Sequence, residues 1–512
     1  MPIIDAAKQE APLKLAGDIC IIGSGAGGAV AAEILTMKGL KVILIEEGGH
    51  YGPKDFQPHE AFAYPHLYQE SAARKTKDQA IKIYQGRSVG GTTTINWSSS
   101  FRTPESTLTH WRERYGLRGM SGEEMRPWFE QMEQRLNIAP WDQEPNQNNL
   151  KLAQGLWGLR KTHGVIRRNV KGCLDLGLCG LGCPIGAKQS MDLTCIPASL
   201  ERGMTLVHSA RVQRLEQRGD QVVGLSAQAL DPLGMAIGQT AIEIRAKTFI
   251  LSAGAINGPA VLLRSQAPDP YEQLGKRTFL HPTLVSMALF DQSIDGFYGA
   301  PQSVYSDAYM PKDTQKEVGF RLEVPPIHPL LAATNLPGMG KIHASWMKKL
   351  NRAQATIALL RDGFHEDSPG GTVEINQGWP QLDYPMTDYL WEGAKRAWLA
   401  MAEIQFAAGA KLVMPFHDHA SPYKSFKAAK IGIEALPLRL PQARVVSAHV
   451  MGGCAMGLEP KSSVCDLKGR HHQLGNLFVM DGSILPTSVG ANPQLTIFAL
   501  AAKLASNLAE QQ

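Results

Sequence analysis

Three glycines at fixed spacing, Gly23, Gly25 and Gly28, follow an apolar run from Asp18 to Ile22 and precede small and apolar residues from Ala29 to Leu35. The chemistry that spacing serves is the holding of a pyrophosphate. The first glycine permits a tight turn, the second lets backbone amides approach the phosphates, and the third lets a helix pack on its strand. The helix amino terminus then faces the phosphate charge. About 20 residues on, the run Lys41 to Ile45 ends at Glu46, where a carboxylate can accept from a ribose hydroxyl. The spacing does not separate FAD from NAD. A second glycine-rich stretch runs from Gly86 to Trp97. It offers close backbone approach at Gly90-Gly91, then hydroxyls and the amide of Asn96 that can line a polar group. A third cluster is sulfur: Cys173, Cys179, Cys183 and Cys195 lie within 23 residues.

The elements that position these groups follow from the pattern of apolar runs. Residues 18–46 read as strand, glycine turn, helix, strand, the βαβ start of a parallel, doubly wound sheet. Between Thr205 and Ala255, Leu206-Val207, Val212 to Leu215, Val222 to Leu225 and Ile242 to Leu251 read as successive strands, with Gly219-Asp220 as a turn. From about Ser286 to Leu440 prolines and paired glycines interrupt the pattern, which predicts a strand-rich second domain with long connections. The last segment ends in an apolar helix, Gln494 to Leu508. The expected fold is α/β: a Rossmann-like nucleotide domain from 1–105, 196–285 and 441–512, with an inserted sheet-based substrate domain from 106–195 and 286–440.

A chain of 512 residues with 44% hydrophobic and 19% charged residues can bury two or three domains and is not a disordered composition. The net charge of +5 is small for this length, and no segment concentrates Lys and Arg as a nucleic-acid surface would. The first 18 residues lack the pattern of a secretory signal, and no apolar run is long enough to span a bilayer. The expectation is a cytoplasmic protein, with peripheral membrane contact and export alongside a partner subunit both left open.

Further motifs carry a family resemblance. Gly90-Gly91-Thr92-Thr93-Thr94-Ile95-Asn96 resembles the first signature of the glucose–methanol–choline (GMC) oxidoreductases, and Gly254 to Ser265 resembles the second, departing at Gly258 and Gln266. Lys276 to Pro282 resembles the family's "NLxDHP" stretch. His449-Val450-Met451-Gly452-Gly453-Cys454-Ala455-Met456-Gly457 and Asp481-Gly482-Ser483 through Gly490-Ala491-Asn492-Pro493 resemble its carboxy-terminal motifs. The match spans residues 23–493 and is thin between 286 and 440. The resemblance implies FAD held against Gly23, Gly25, Ala26, Gly28, Glu46, Arg87, Gly90, Gly91, Thr92, Asn96, Val212, Ala253, Asp481, Gly482, Asn492 and Pro493. It implies oxidation of an alcohol by hydride transfer, with His449 as base and Asn492 positioning the hydroxyl. Ile95 stands where some members attach FAD through histidine, so non-covalent FAD is expected.

The cysteine loop keeps several readings. Its spacing is similar to the three-cysteine loop of bacterial FAD sugar dehydrogenases, which implies a 3Fe–4S cluster on Cys173, Cys179 and Cys183 and a cytochrome partner. The same Cys-Pro-x-Gly stretch in simpler family members implies only buried thiols or a disulfide beside the flavin. The carboxy-terminal motifs are most similar to cholesterol oxidases and long-chain alcohol oxidases, and the apolar stretches near 329–339 favour a hydrophobic alcohol over a sugar. A lyase on the same fold and a plain NAD-binding protein also stay open at this point. So does the electron acceptor, whether oxygen, a quinone or a cytochrome.

Overall fold

The computed structural model describes residues 3–311 and 316–511, and the side chains of 237–240 lie outside that description. Two eight-stranded sheets organise it. In the first, Leu13–Ile22 runs parallel to Val42–Ile45 on one side and to Ala236–Leu251 on the other. Ile3–Asp5, Thr205–His208 and Leu477–Val479 add further parallel strands, while Ala210–Arg218 and Gln221–Leu230 extend the edge antiparallel. Strands buried on both faces read as continuous apolar runs, and Val42–Ile45 is buried at every position. The helix Ala26–Met37 leaves the glycine turn after Ile22 and packs on Gln494–Ala509 and Cys195–Glu201. Segments from both ends of the chain therefore meet over one sheet face.

The second sheet centres on Thr283–Leu289, paired antiparallel with Ala353–Leu360 and Leu412–Pro415. Phe320–Glu323 extends it beyond Ala353–Leu360, followed by Val304–Tyr309 and Gly164–Val165. Alternation along the central strands sends Leu284, Ala288, Ala358 and Leu360 toward the helix Asp388–Ala407. Val285, Met287, Ala355, Ile357 and Leu359 face the opposite way.

The residue bounds drawn from sequence differ from this arrangement. The division at 285 falls inside the strand Thr283–Leu289. Lys82–Ile83 and Val446–Ser447, both assigned to the nucleotide domain, pair at the edge of the second sheet. The helices Glu105–Tyr115 and Gly122–Arg135 pack through Leu108, Trp111, Met125, Phe129 and Met132 into the first core. The physical reason is that strand pairing and helix docking join segments far apart in sequence, whereas Pro and Gly punctuation marks only local breaks.

Candidate active site

A cavity of about 610 Å³ runs between the two sheets. At its nucleotide end the three glycines do different work. Gly23 has φ +100°, and a Cβ there would lie 2.3 Å from the Ser252 carbonyl oxygen. On Gly28 it would lie 2.0 Å from the Gly23 carbonyl oxygen. Both positions need glycine for the backbone itself. Gly25 does not: it caps the helix with φ −69°, and the nearest atom to a Cβ there is the Gly91 Cα at 3.9 Å. The space beside Gly25 belongs to the cavity, so the glycine is small for whatever the cavity holds. A pyrophosphate over the amino end of Ala26–Met37 fits that gap.

The glycine loop at 90–91 is folded onto this turn. Gly90 donates its N–H to Ser24 Oγ (3.0 Å), and Ser24 in turn donates from N (2.9 Å) and Oγ (2.6 Å) to Glu46 Oε2. Glu46 Oε1 accepts from Gly48 N at 2.8 Å. Burial pushes the Glu46 carboxyl upward, and the Ser24 and Gly48 bonds oppose that. Asp481 accepts from Gly254 N (2.6 Å) and Ser483 N (2.8 Å), which ties the carboxy-terminal motif to the second signature.

Of the residues named for the cofactor, Gly23, Gly25, Ala26, Glu46, Arg87, Gly91, Thr92, Asn96, Val212, Ala253, Asp481, Gly482, Asn492 and Pro493 line the cavity, as does His449. Gly28 and Gly90 do not. Gly28 sits under the helix against Gly23, and Gly90 has left-handed φ (+93°) with its Cβ direction blocked by Thr94 and Asp192. They shape the backbone rather than the wall.

The cysteine loop contributes backbone. Cys173, Cys179 and Cys183 are half-buried free thiols, and none lines the cavity. Among the described residues no group of three or more His, Cys, Asp or Glu side chains is placed to hold a metal ion. Instead Gly180 and Leu181 reach the wall, and the Gly180 carbonyl accepts from Tyr68 OH at 2.7 Å. The buried Lys188 ammonium donates to the carbonyls of Cys179 (2.7 Å), Thr94 (2.6 Å) and Asn96 (3.1 Å), stitching this loop to the 90–97 loop. Sequence reasoning gave Lys188 no role, although it lies in the stretch after Cys183-Pro184.

Elsewhere in the cavity wall, His449 Nδ1 lies 3.2 Å from His281 Nδ1, with the rings edge-on. Gly490 donates its N–H to His281 Nε2 at 3.0 Å. A neutral imidazole has one donor and one acceptor nitrogen. His281 therefore carries its hydrogen on Nδ1 and donates it to His449 Nδ1, leaving the His449 hydrogen on Nε2. His281 is itself fixed at φ +46°, with Asp362 accepting its N–H (3.1 Å) along with that of Leu280 (2.9 Å). Burial and the Arg321 charge hold His449 down at about 4, so its ring is neutral near pH 7.

Asn492 donates from Nδ2 to Glu323 Oε2 at 3.1 Å, and its Oδ1 has no protein partner among the described residues. Gln302 donates to the same carboxylate oxygen at 2.6 Å. Glu323 is fully buried, and burial pushes it up to about 7 although the Arg321 charge opposes this. A lone glutamate in Phe320–Glu323 carries no sequence signal, and His281 was visible only as part of a motif. Above pH 7 the Glu323 carboxylate holds the Asn492 amide by its NH₂ end. Below it, the protonated acid is a donor and can take Oδ1 instead. The expected result is that kcat/KM rises through pH about 7 and that Glu323→Gln flattens this limb with the flavin still bound. A limb that persists in Glu323→Gln would assign it to another group.

One stretch of the remaining wall is apolar, although Tyr64, Arg74, Tyr84, Gln302 and Asn335 also line the cavity. Val285, Met287, Ala355, Ile357 and Leu359 come from the second sheet, and Ile327, Leu331 and Ala332 roof it. The short roof helix Pro329–Asn335 is pinned at both ends. Glu60 accepts from Leu330 N (2.6 Å) and Leu331 N (2.7 Å), and Lys82 Nζ donates to the Thr334 carbonyl at 2.7 Å. Opposite charges thus sit at the helix ends they favour.

The fold and the glycine turn beside this cavity are those of a nucleotide-binding protein, and comparison with known proteins gives its family. Residues 64–283 match the family model "GMC oxidoreductase" for its N-terminal domain and residues 367–501 the C-terminal one, while residues 21–58 match an NAD(P)-binding Rossmann-like domain. The chain belongs to the GMC oxidoreductases and is an FAD-dependent oxidoreductase. It is 28% identical over 497 residues to an uncharacterized GMC-type oxidoreductase of Sinorhizobium fredii, covering 96% of this chain and 94% of that protein. It is 27% identical over 514 residues to an Arabidopsis thaliana long-chain-alcohol oxidase, covering 97% and 69%. A crystal structure of pyridoxine 4-oxidase superposes with TM-score 0.69 at 19% identity, covering 97% of this chain and 99% of that one, which bears on fold alone.

Proposed function

We propose that this enzyme oxidises the CH–OH group of a hydrophobic alcohol, of the long-chain or sterol kind, to a carbonyl. The observation that carries this reading is the apolar wall of Val285, Met287, Ile357 and Leu359 facing the roof helix, continuous with the cavity that His449 lines. The similarity to long-chain-alcohol oxidases supports it. Bound FAD supplies the hydride acceptor. The chain's own part is to hold the substrate oxygen and manage its proton.

His449 Nδ1 is engaged by His281, so Nε2 is the nitrogen that meets the substrate oxygen, with Asn492 as the second contact. In the resting pattern Nε2 carries hydrogen and donates. Taking the hydroxyl proton requires the other His449 tautomer, with hydrogen on Nδ1. That form forfeits the Gly490–His281 bond and costs about 1–3 kcal/mol for the unmet buried donor. The base role expected from the motif thus depends on His281 as well as His449. The apolar stretch of the wall disfavours a sugar substrate.

The test is a series of straight-chain primary alcohols. Each added methylene buried on the apolar wall is expected to raise kcat/KM by up to about fourfold, since a buried methylene contributes about 0.8 kcal/mol. A flat series, or glucose and polyols turned over faster than any alkanol, would overturn the hydrophobic-substrate reading.

A further inference from the structure

The roof segment has a second side. From Pro325 to Arg352 the sequence contains no Asp or Glu, yet it carries Lys341, Lys348, Lys349 and Arg352. All four are exposed, and none forms an ion pair among the described residues. The same segment exposes apolar side chains: Met339 is 86% exposed, Ile342 56% and Leu330 40%. Single exposed hydrophobics are ordinary, but three on one short segment call for a partner. The segment is firmly built. Trp346 is buried beneath the second sheet's apolar face, and His343 Nε2 bonds the Ala333 carbonyl at 3.0 Å, joining the helix Gly340–Met347 to the roof helix.

We propose that the 329–352 segment docks this enzyme on a lipid surface bearing anionic headgroups. Met339 and Ile342 enter the acyl boundary, and Lys341, Lys348 and Lys349 meet the headgroups. Apolar tips flanked by cations, with no acid in the segment itself and Asp291 and Asp295 only near its Asn351–Arg352 end, are the pattern an interfacial helix uses, and the charge is complementary to anionic headgroups. The inner side of the same segment carries Ile327, Leu331 and Ala332 of the cavity wall, so an apolar molecule leaving the lipid meets the roof of the apolar chamber directly. No described helix is long and apolar enough to cross a membrane, and the docking needs none. The proposal deepens the hydrophobic-alcohol reading and rests on it for its purpose, though not for its test.

The test is co-sedimentation of the FAD-loaded enzyme with vesicles of phosphatidylcholine alone and of phosphatidylcholine mixed with phosphatidylglycerol. Binding at least ~10-fold stronger to the mixed vesicles, weakened by salt, is expected from the lysine contacts. The double variants Met339→Asp with Ile342→Asp and Lys348→Glu with Lys349→Glu should each lose this binding. Neither touches the cavity, so both should oxidise a water-soluble short-chain alcohol at the unaltered rate. Failure of the wild type to bind either vesicle, or equal binding to both, overturns the proposal. So does a dimer that Met339→Asp with Ile342→Asp converts to monomer, because a second copy would then cover the patch. Vesicle binding by an enzyme that oxidises no alcohol would instead leave docking standing and remove the functional reading.

Discussion

Gly25→Val is expected to give a folded protein that has lost its flavin. The valine side chain starts from a Cβ whose nearest neighbour is the Gly91 Cα at 3.9 Å, in a backbone conformation (φ −69°) open to any residue. The Cβ meets no protein atom closer than that, so thermal unfolding of the apo form should stay close to that of the wild-type apo form. The side chain projects into the space the pyrophosphate would take over the helix amino terminus, so binding of FAD should fall below detection. Gly28→Val is the contrast: with a Cβ 2.0 Å from the Gly23 carbonyl oxygen, it should fail at folding. A Gly25→Val protein that copurifies yellow would show that the cofactor does not lie where the glycine turn places it.

His449→Ala is expected to retain FAD and lose about 10²–10⁴-fold in kcat/KM, the usual contribution of a positioned acid–base group. The residue takes no part in the Gly25 turn or its Ser24–Glu46 bonds, so FAD should stay bound. His281→Ala should follow it in part. Without His281, nothing fixes the His449 ring or its tautomer, and the loss should fall mainly on kcat rather than KM. If His449→Ala reduced activity less than tenfold with saturating FAD, another group would be managing the hydroxyl proton.

What the sequence disclosed is tied to locality. The strand, turn, helix and strand of residues 18–46 are legible because one contiguous stretch encodes them, and each glycine has a local steric reason. The carboxy-terminal motifs are legible because Gly452, Gly453 and Gly490 hold left-handed backbone (φ +81°, +91°, +76°) that few residues adopt. The second sheet was legible only as strand-rich. Its edge strands Lys82–Ile83 and Gly164–Val165 are two residues long and join partners more than a hundred residues away. Glu323, whose carboxylate holds Asn492, looks from sequence like any acidic residue in a strand. Arg211 and Glu47, paired at 2.9 Å in the cavity wall, likewise have no shared local pattern. The cysteine spacing left both a cluster and plain thiols open, and it gave no hint that backbone at Gly180 and Leu181, held by Lys188, would reach the cavity.

The most direct measurement is the anaerobic visible spectrum of the purified protein before and after addition of a long-chain primary alcohol. Oxidised flavin bands are expected to bleach on mixing, acid precipitation to release the flavin into the supernatant, and His449→Ala to show no bleaching on the same timescale. Flavin bands that no alcohol bleaches, or a protein that remains colourless after reconstitution with FAD, would contradict that expectation.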